Sequence, residues 1–501
     1  MNAYAFFTRE LAARRDAIFL ETESGRHYTY ADLDRETARV ASFLRSLGLA
    51  KGDRVAAQVE KSPQALFLYL GTLRAGLAYL PLNTAYQRGE LAYFLKDAEP
   101  RVVVCRPGML TTFTELAREA GEPRLCTLDE HGAGTLTNAV AAAPDRFETV
   151  ATDDHDLAVI IYTSGTTGRS KGAMVTHGNI ASNGAVLRDY WRFADRDVLL
   201  HMLPIFHVHG LFVGVHPILL AGAKLVFHAK FDAKAALAAL PCATAMMGVP
   251  TFYVRLLAEP DFTRERVAHM RLFVSGSAPL LLDTFAEFKS RTGHTILERY
   301  GMSEAGMITS NPYEGERRGG TVGFPLPGVS VRVRDGQREC GPGEPGGIEI
   351  RGPNVFAGYW RMPEKTKEEF TADGWFKTGD VGQWSADGYL SIVGRAKDLI
   401  ISGGYNVYPK EIELVIDAIP GVAESAVVGV PHPDFGEAVA AIVVRAKDAS
   451  LDEAGVIAHV KAQIANYKVP KRVVFLDELP RNAMGKVQKN VLREQIAQRV
   501  P

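Results

Sequence analysis

Apolar positions along this chain follow two periods that alternate over most of its length. Leu33, Thr37, Val40, Leu44 and Leu47 recur every three or four residues, the spacing of one helix face. Thr29 and Asp32 stand where a capping box would open that helix, and Gly48 where it would stop. "DRVAAQV" (53–59) then predicts a strand and "PQALFLYLGTLRAG" (63–76) a second helix. Buried strands recur at "RVVVC", "LAVIIY", "KLVF" and "MRLFVSGS", with helical patterns between them. This alternation predicts α/β layers with mainly parallel strands.

The texture changes after about residue 320, where "VGFPLPGVSVRVRDG", "GGIEIRG" and "GYLSIVGR" read as short alternating strands split by Gly and Pro turns. That is the pattern of a small barrel or an antiparallel sheet. From Asp398 a compact mixed unit is expected, with strand-like "SAVVGV" and "AVAAIVVRA" followed by helical "DEAGVIAHVKAQIA". The shift puts a boundary in "GRAKD", with one domain over 1–396 and a second over 397–501. "GPGEPG" (341–346) satisfies GxGxxG, but its prolines remove backbone N–H groups that a phosphate would need, so it reads as a turn.

Composition narrows the class only a little. The 501 residues are 47% hydrophobic and 23% charged, ordinary for a globular protein that buries a large core. A formal net charge of −1 gives no support to a nucleic-acid or anionic-membrane surface. Cys105, Cys126, Cys242 and Cys340 are scattered, too sparse for a disulfide framework or a CxxC metal site, and fit a reducing compartment. Arg9, Glu10 and Arg14 interrupt the N-terminal apolar residues, and no stretch has the length of a membrane span. A cytoplasmic protein without membrane or nucleic-acid partners is expected, and with no exposed heptad visible, a monomer.

The chemistry begins at "DLAVIIYTSGTTGRSKGAMVTH" (156–177), where a strand runs into a Gly/Ser/Thr loop ending on Lys171. Such a loop offers backbone N–H groups, hydroxyls and one positive charge to an anion; the plain alternative is a polar turn after a buried strand. It is not a Walker A loop, because Ser170 precedes the lysine where Gly is required and Gly172 replaces the Ser/Thr that reaches Mg²⁺. The chain has no HExxH.

Residue by residue, the loop resembles the signature of the adenylate-forming superfamily of acyl-CoA synthetases, luciferases and nonribosomal adenylation domains. Further matches follow in family order: "LPIFHVHG" (203–210), "SGSAPL" (275–280), "ERYGMSE" (298–304), "WFKTGD" (375–380), "GRAKDLIISGGYNVYPKEIE" (394–413) and "PRNAMGKVQK" (480–489). The resemblance implies an α/β fold: a large multi-layer N-terminal domain of sheets flanked by helices with a small distorted β-barrel, and a small mobile α+β C-terminal domain. It also implies a ligase with ATP, Mg²⁺ and coenzyme A as its cofactor and substrates. A carboxylate attacks the α-phosphate of ATP, pyrophosphate leaves, and a thiol then attacks the acyl carbon. No protein nucleophile is needed, so positioning and charge stabilisation supply the catalysis.

The resemblance implies roles position by position. Thr163, Ser164, Gly165, Thr166 and Thr167, with Lys171, would hold the ATP phosphates. Glu304, with Thr163, would hold Mg²⁺, a hard ion that takes oxygen ligands. Tyr300 would face adenine with Gly276, Ser277 and Ala278 along its edge, beside Gly301 and Ser303. Asp380 and Arg395 would bind the ribose hydroxyls, and Lys486 would bridge the α-phosphate and the substrate carboxylate as charge develops. Lys397 would be the hinge about which the C-terminal domain turns to bring Gly403 and Gly404 to the thioester site. Acylation of Lys486 by a lysine acetyltransferase, reversed by a deacetylase, would remove the charge this step needs.

The acid is read from Arg299, the residue before Tyr300, where relatives that take aromatic or fatty acids often carry an uncharged residue. A guanidinium facing a small pocket is costly unless an anion pairs with it, and a second substrate carboxylate would supply that anion. The plain alternative is an internal salt bridge to Glu298 or Glu304. "ERYGM", "GTTGRSKG" and "LPIFHVHGLF" together resemble malonyl-CoA synthetases, with His207 as a further pocket residue toward malonate. His207 and His209 also form an HxH pair, but no third metal ligand accompanies them. Ser303 stands where Thr is commoner, keeping the hydroxyl, and Ser170 stands where Pro is commoner, leaving the loop's path open. Methylmalonate differs by one methyl and is expected as a second substrate. Three alternatives stay open: a short-chain, medium-chain or aryl monocarboxylate as substrate, which requires Arg299 to be tied up internally, an adenylation module that loads a carrier protein, and a luciferase-type oxygenase.

Overall fold

The computed structural model describes residues 1–163, 170–402, 405–432, 436–482 and 485–497, the side chains of 405, 406, 436 and 497 excepted. Contacts divide the chain into two compact units, Met1–Ser330 with Ile350–Phe376, and Val331–Glu349 with Lys377–Pro501.

The first unit contains two sheets. One has six strands in the order Arg124–Thr127, Val102–Cys105, Arg54–Gln58, Ala78–Pro81, Leu157–Thr163, Lys171–Thr176, parallel until the last pair turns antiparallel. The other has nine strands, and its centre is a parallel run in the order Leu297–Met302, Leu272–Ser275, Ala245–Gly248, Val198–His201, Lys224–Phe227, Ile18–Thr22. These strands are apolar on both faces, as parallel strands covered by helices must be. Helix Tyr30–Ser46 opens on the expected capping box: the Thr29 hydroxyl accepts from the Asp32 N–H, and the Asp32 carboxylate accepts from the Thr29 N–H. It packs on helix Pro63–Arg74, which is buried all round from Ala65 to Arg74. Gly71 permits this close approach, because a Cβ there would meet Val40 Cγ1 at 2.5 Å.

The second unit contains the strands of changed texture as a five-stranded sheet, in the linear order Arg338–Glu339, Ser330–Asp335, Gly346–Arg351, Phe376–Trp384, Leu390–Arg395. A second sheet orders Tyr405–Val407, Ile400–Ser402, Gly436–Arg445 and Val422–His432, with Arg472–Leu476 parallel to Gly436–Arg445. It is covered on both faces by strict alternation. Val439, Ala441 and Val443 join the core under helices Pro409–Asp417 and Glu453–Gln463, while Ala438, Ala440 and Ile442 join Leu492 and Ile496 of helix Lys489–Ala497. Within this unit Phe376–Trp384 pairs with Leu390–Arg395, and helix Pro409–Asp417 contacts that hairpin. Among the described residues no helix is long and apolar enough to cross a membrane. "GPGEPG" is a turn leading into Gly346–Arg351.

Candidate active site

In the nine-stranded sheet the strand order reverses at Val198–His201, which has Lys224–Phe227 on one side and Ala245–Gly248 on the other. Open α/β sheets bind ligands beyond the carboxyl ends of their strands at such a switch point. There the chain delivers His201, then the turn with His207 and His209, then Gly276 and Ser277 after Leu272–Ser275, and Arg299 and Tyr300 on Leu297–Met302. Ser277 lies at φ +71, in the left-handed region that a residue with a Cβ rarely adopts, and its hydroxyl meets His209 Nδ1 at 3.2 Å. Ala278 follows it, partly buried.

Arg299 is 4% exposed, and its Nε and Nη2 have no hydrogen-bond partner among the described residues. Those two nitrogens form the side-on edge with which a guanidinium grips a carboxylate through two parallel bonds. Burial lowers its pKa to about 9, so at neutral pH it is still a cation. Among the described residues no carboxylate pairs with it, so the internal salt bridge to Glu298 or Glu304 does not form. The Glu298 carboxylate accepts from the Gly320 N–H at 3.1 Å. Gly276 lies against the guanidinium so closely that a Cβ there would come 2.4 Å from Arg299 Cζ. His207 accepts the His209 N–H on Nδ1 at 3.2 Å, and buried His209 is held well below the usual imidazole range by desolvation and the Arg299 charge.

The expected phosphate loop is flanked by Thr163 and Lys171, which are cross-strand partners in the Leu157–Thr163 and Lys171–Thr176 hairpin. Ser164, Gly165, Thr166 and Thr167 lie outside the described residues. Glu304 is buried, and burial raises its pKa. Thr163 Oγ1 and the Tyr359 hydroxyl both donate to its Oε1, at 3.2 and 3.3 Å. The Lys171 ammonium sits 4.2 Å from the centroid of the Tyr359 ring and 3.3 Å from Glu369, so its charge is partly matched within the protein. Tyr300 pairs with Thr309 across Leu297–Met302 and Gly306–Ser310. Gly301 admits no side chain, because a Cβ would come within 2.2 Å of Gly306 O, and Ser303 begins the turn between the two strands.

In the second unit Asp380 and Arg395 are cross-strand partners, with Arg395 Nε 3.2 Å from the Asp380 carboxylate. Lys397 lies in the exposed turn Ala396–Asp398, and Arg493 from helix Lys489–Ala497 donates to Asp398 at 2.7 Å. Lys486 stands in a tight clasp: its N–H donates to Asn482 Oδ1 at 3.0 Å and its carbonyl accepts the Asn482 N–H at 2.9 Å. Gly403 and Gly404 lie outside the described residues. Tyr359, Lys61 and His201 escaped the sequence reading, since each meets the site through a contact remote in the chain. Among the described residues no group of three or more His, Cys, Asp or Glu is arranged to hold a metal ion.

Comparison with known proteins bears on this arrangement. The AMP-binding enzyme family matches residues 7–360, and the AMP-binding enzyme C-terminal domain matches residues 411–486. The crystal structure of ATP-bound MatB from Rhodopseudomonas palustris superposes with a TM-score of 0.97 at 55% identity, covering 99% of both chains. A feruloyl-CoA synthase from Amycolatopsis is 37% identical over 94% of both chains. A malonate–CoA ligase from Arabidopsis thaliana is 34% identical over 94% of this chain and 85% of its own. Both the large and the small domain match, so this chain belongs to the AMP-binding enzyme family.

Proposed function

We propose that this chain is an AMP-forming malonate–CoA ligase, converting malonate, ATP and coenzyme A to malonyl-CoA, AMP and pyrophosphate through an acyl-adenylate. The observation that carries the acid is Arg299. Leaving a buried cation unpaired costs several kcal/mol, a cost that a bound anion offsets. The unpaired Nε and Nη2 edge suits the second carboxylate of a short diacid, whereas a feruloyl group would leave the charge uncompensated. The identity with MatB and with the plant malonate–CoA ligase supports the same reading. Methylmalonate adds one methyl, which typically discriminates by about 10- to 200-fold, and is proposed as a slower substrate.

In this reading Arg299 and His207 orient the distal carboxylate, leaving the other carboxylate to attack the α-phosphorus of ATP. Loop residues 164–167 and Lys171 hold the phosphates, Tyr300 with the Gly276–Ala278 segment holds adenine, and Asp380 with Arg395 holds the ribose. Lys486 meets the charge that develops between carboxylate and phosphate. Mg²⁺ fits Glu304 and Thr163, a carboxylate and a hydroxyl that already converge, and when bound it would neutralise phosphate oxygens. Turning about Lys397 would withdraw Lys486 and bring Gly403 and Gly404 to the thiol. Acylation of Lys486 would silence the first half-reaction alone.

The test is coenzyme-A-dependent pyrophosphate release with malonate, methylmalonate, succinate, acetate, butyrate and cinnamate, for the parent chain and Arg299→Ala. Malonate is expected to lead by orders of magnitude and to lose that lead in the variant. A leading monocarboxylate whose rate survives Arg299→Ala would overturn the choice of acid and leave the adenylating reaction standing.

A further inference from the structure

Lys61 is 7% exposed, and no carboxylate pairs with it among the described residues. It immediately precedes Ser62, the N-cap of helix Pro63–Arg74, and follows the strand Arg54–Gln58 of the six-stranded sheet. Its ammonium reaches across to the nine-stranded sheet. There it is 2.8 Å from the carbonyl oxygen of His201, 2.8 Å from His201 Nδ1, and 4.2 Å from the centroid of the Phe227 ring. Three proton-bearing directions thus meet two acceptors and one ring face.

His201 continues the chain of contacts. Its Nε2 is 2.7 Å from the carbonyl oxygen of Gly210, which can only accept, so Nε2 carries the ring proton and Nδ1 accepts a hydrogen bond from Lys61. Burial and the neighbouring Lys61 charge hold His201 well below the usual imidazole range, in keeping with that neutral tautomer. Gly210 belongs to the π-helical turn His209–Val213, where the Gly214 N–H reaches back five residues to His209 O. The widened turn leaves the Gly210 carbonyl to His201, and the ring fills the space beside Gly214, where a Cβ would lie 2.7 Å from His201 Nε2. Immediately before that carbonyl stand His207 and His209, linked to each other and, through Ser277, to the segment that packs on Arg299.

We propose that Lys61 and His201 form a buried strut that sets the His207–Gly210 turn against Arg299, making them positioning residues for the acid substrate. This rests on the reading of Arg299 as the distal-carboxylate binder. The strut ends on the turn that carries His207, so its effect is expected to fall chiefly on the acid subsite. Lys61→Met keeps the bulk and removes the donors, and is expected to raise the malonate KM at least tenfold while leaving the ATP KM within about twofold. His201→Gln, which retains an N–H for Gly210, is expected to lie between the parent and His201→Leu.

The experiment measures both KM values and the melting temperature for Lys61→Met, His201→Gln, His201→Leu and Arg299→Ala. A malonate-selective rise in Lys61→Met or His201→Leu, partly restored in His201→Gln, supports the strut. Unchanged malonate KM values, or malonate and ATP values rising together with a falling melting temperature, overturn it. If Lys61→Met does not fold, the two His201 variants decide by the same criterion. If Arg299→Ala leaves the malonate KM unchanged, the underlying subsite reading fails; if Arg299→Ala loses malonate and the other variants do not, only the strut fails.

Discussion

Arg299 illustrates how one side chain can carry a specificity argument. Its charge survives burial, its Nε and Nη2 edge is unpaired among the described residues, and its face is pressed on Gly276. Gly276 is therefore required for space rather than for conformation. Gly276→Ala is expected to displace the guanidinium and lower malonate kcat/KM at least tenfold, and steady-state kinetics with malonate varied at saturating ATP would check it; an unchanged value would mean that the guanidinium has room to move. Arg299 was legible in the sequence because an unusual residue type stood inside a recognisable run. Lys61 and His201 were not, because they are separated by 140 positions and neither sits in a motif with chemistry of its own.

Among the elements, those with clean periods were legible. The capping box of Tyr30–Ser46, the helix Pro63–Arg74 and the parallel strands all lie where periodicity put them, since burial of one or both faces is written locally. The π-helical turn at His209–Val213 was not, since its Gly210 carbonyl accepts from His201, a residue of a preceding strand that no local period connects to it. Helix Pro409–Asp417 ends on a carboxyl that burial pushes up to about 6, although Ser425 Oγ donates to it at 2.7 Å. The native state holds this proton to about pH 6 and the unfolded chain releases it near 3.8, so stability from this group is lost as pH rises through that window. Asp417→Asn is expected to stabilise the intact chain by on the order of 1–2 kcal/mol at pH 7.5, with the gain shrinking toward pH 4.5. Thermal melts at the two pH values would read this, and an equal shift at both would refute the titration argument.

For the whole molecule, the proposed cycle needs two half-reactions with different demands. Lys486→Ala is expected to slow malonate-dependent pyrophosphate release at least 100-fold while leaving thioester formation from supplied malonyl-adenylate near the parent rate. Lys397→Pro, which stiffens the turn Ala396–Asp398, is expected to impair at least one half-reaction. Rapid-quench measurement of each half-reaction separates the two, and full rates for both in Lys397→Pro would remove that residue as the hinge.

The sequence by itself determined the periodic elements, the α/β class, the family and the candidate residues of the proposed adenylating chemistry, because each is encoded in short windows where spacing and side-chain type suffice. Tertiary structure alone decided that Arg299 has no internal counter-ion among the described residues, that Glu304 is gripped by Thr163 and Tyr359, and that Lys171 is matched by Glu369. It alone also joined Lys61 to the histidine turn. Those are statements about which groups find partners after folding and which do not, and a buried charge's partners are chosen by packing between distant strands, which no local pattern records.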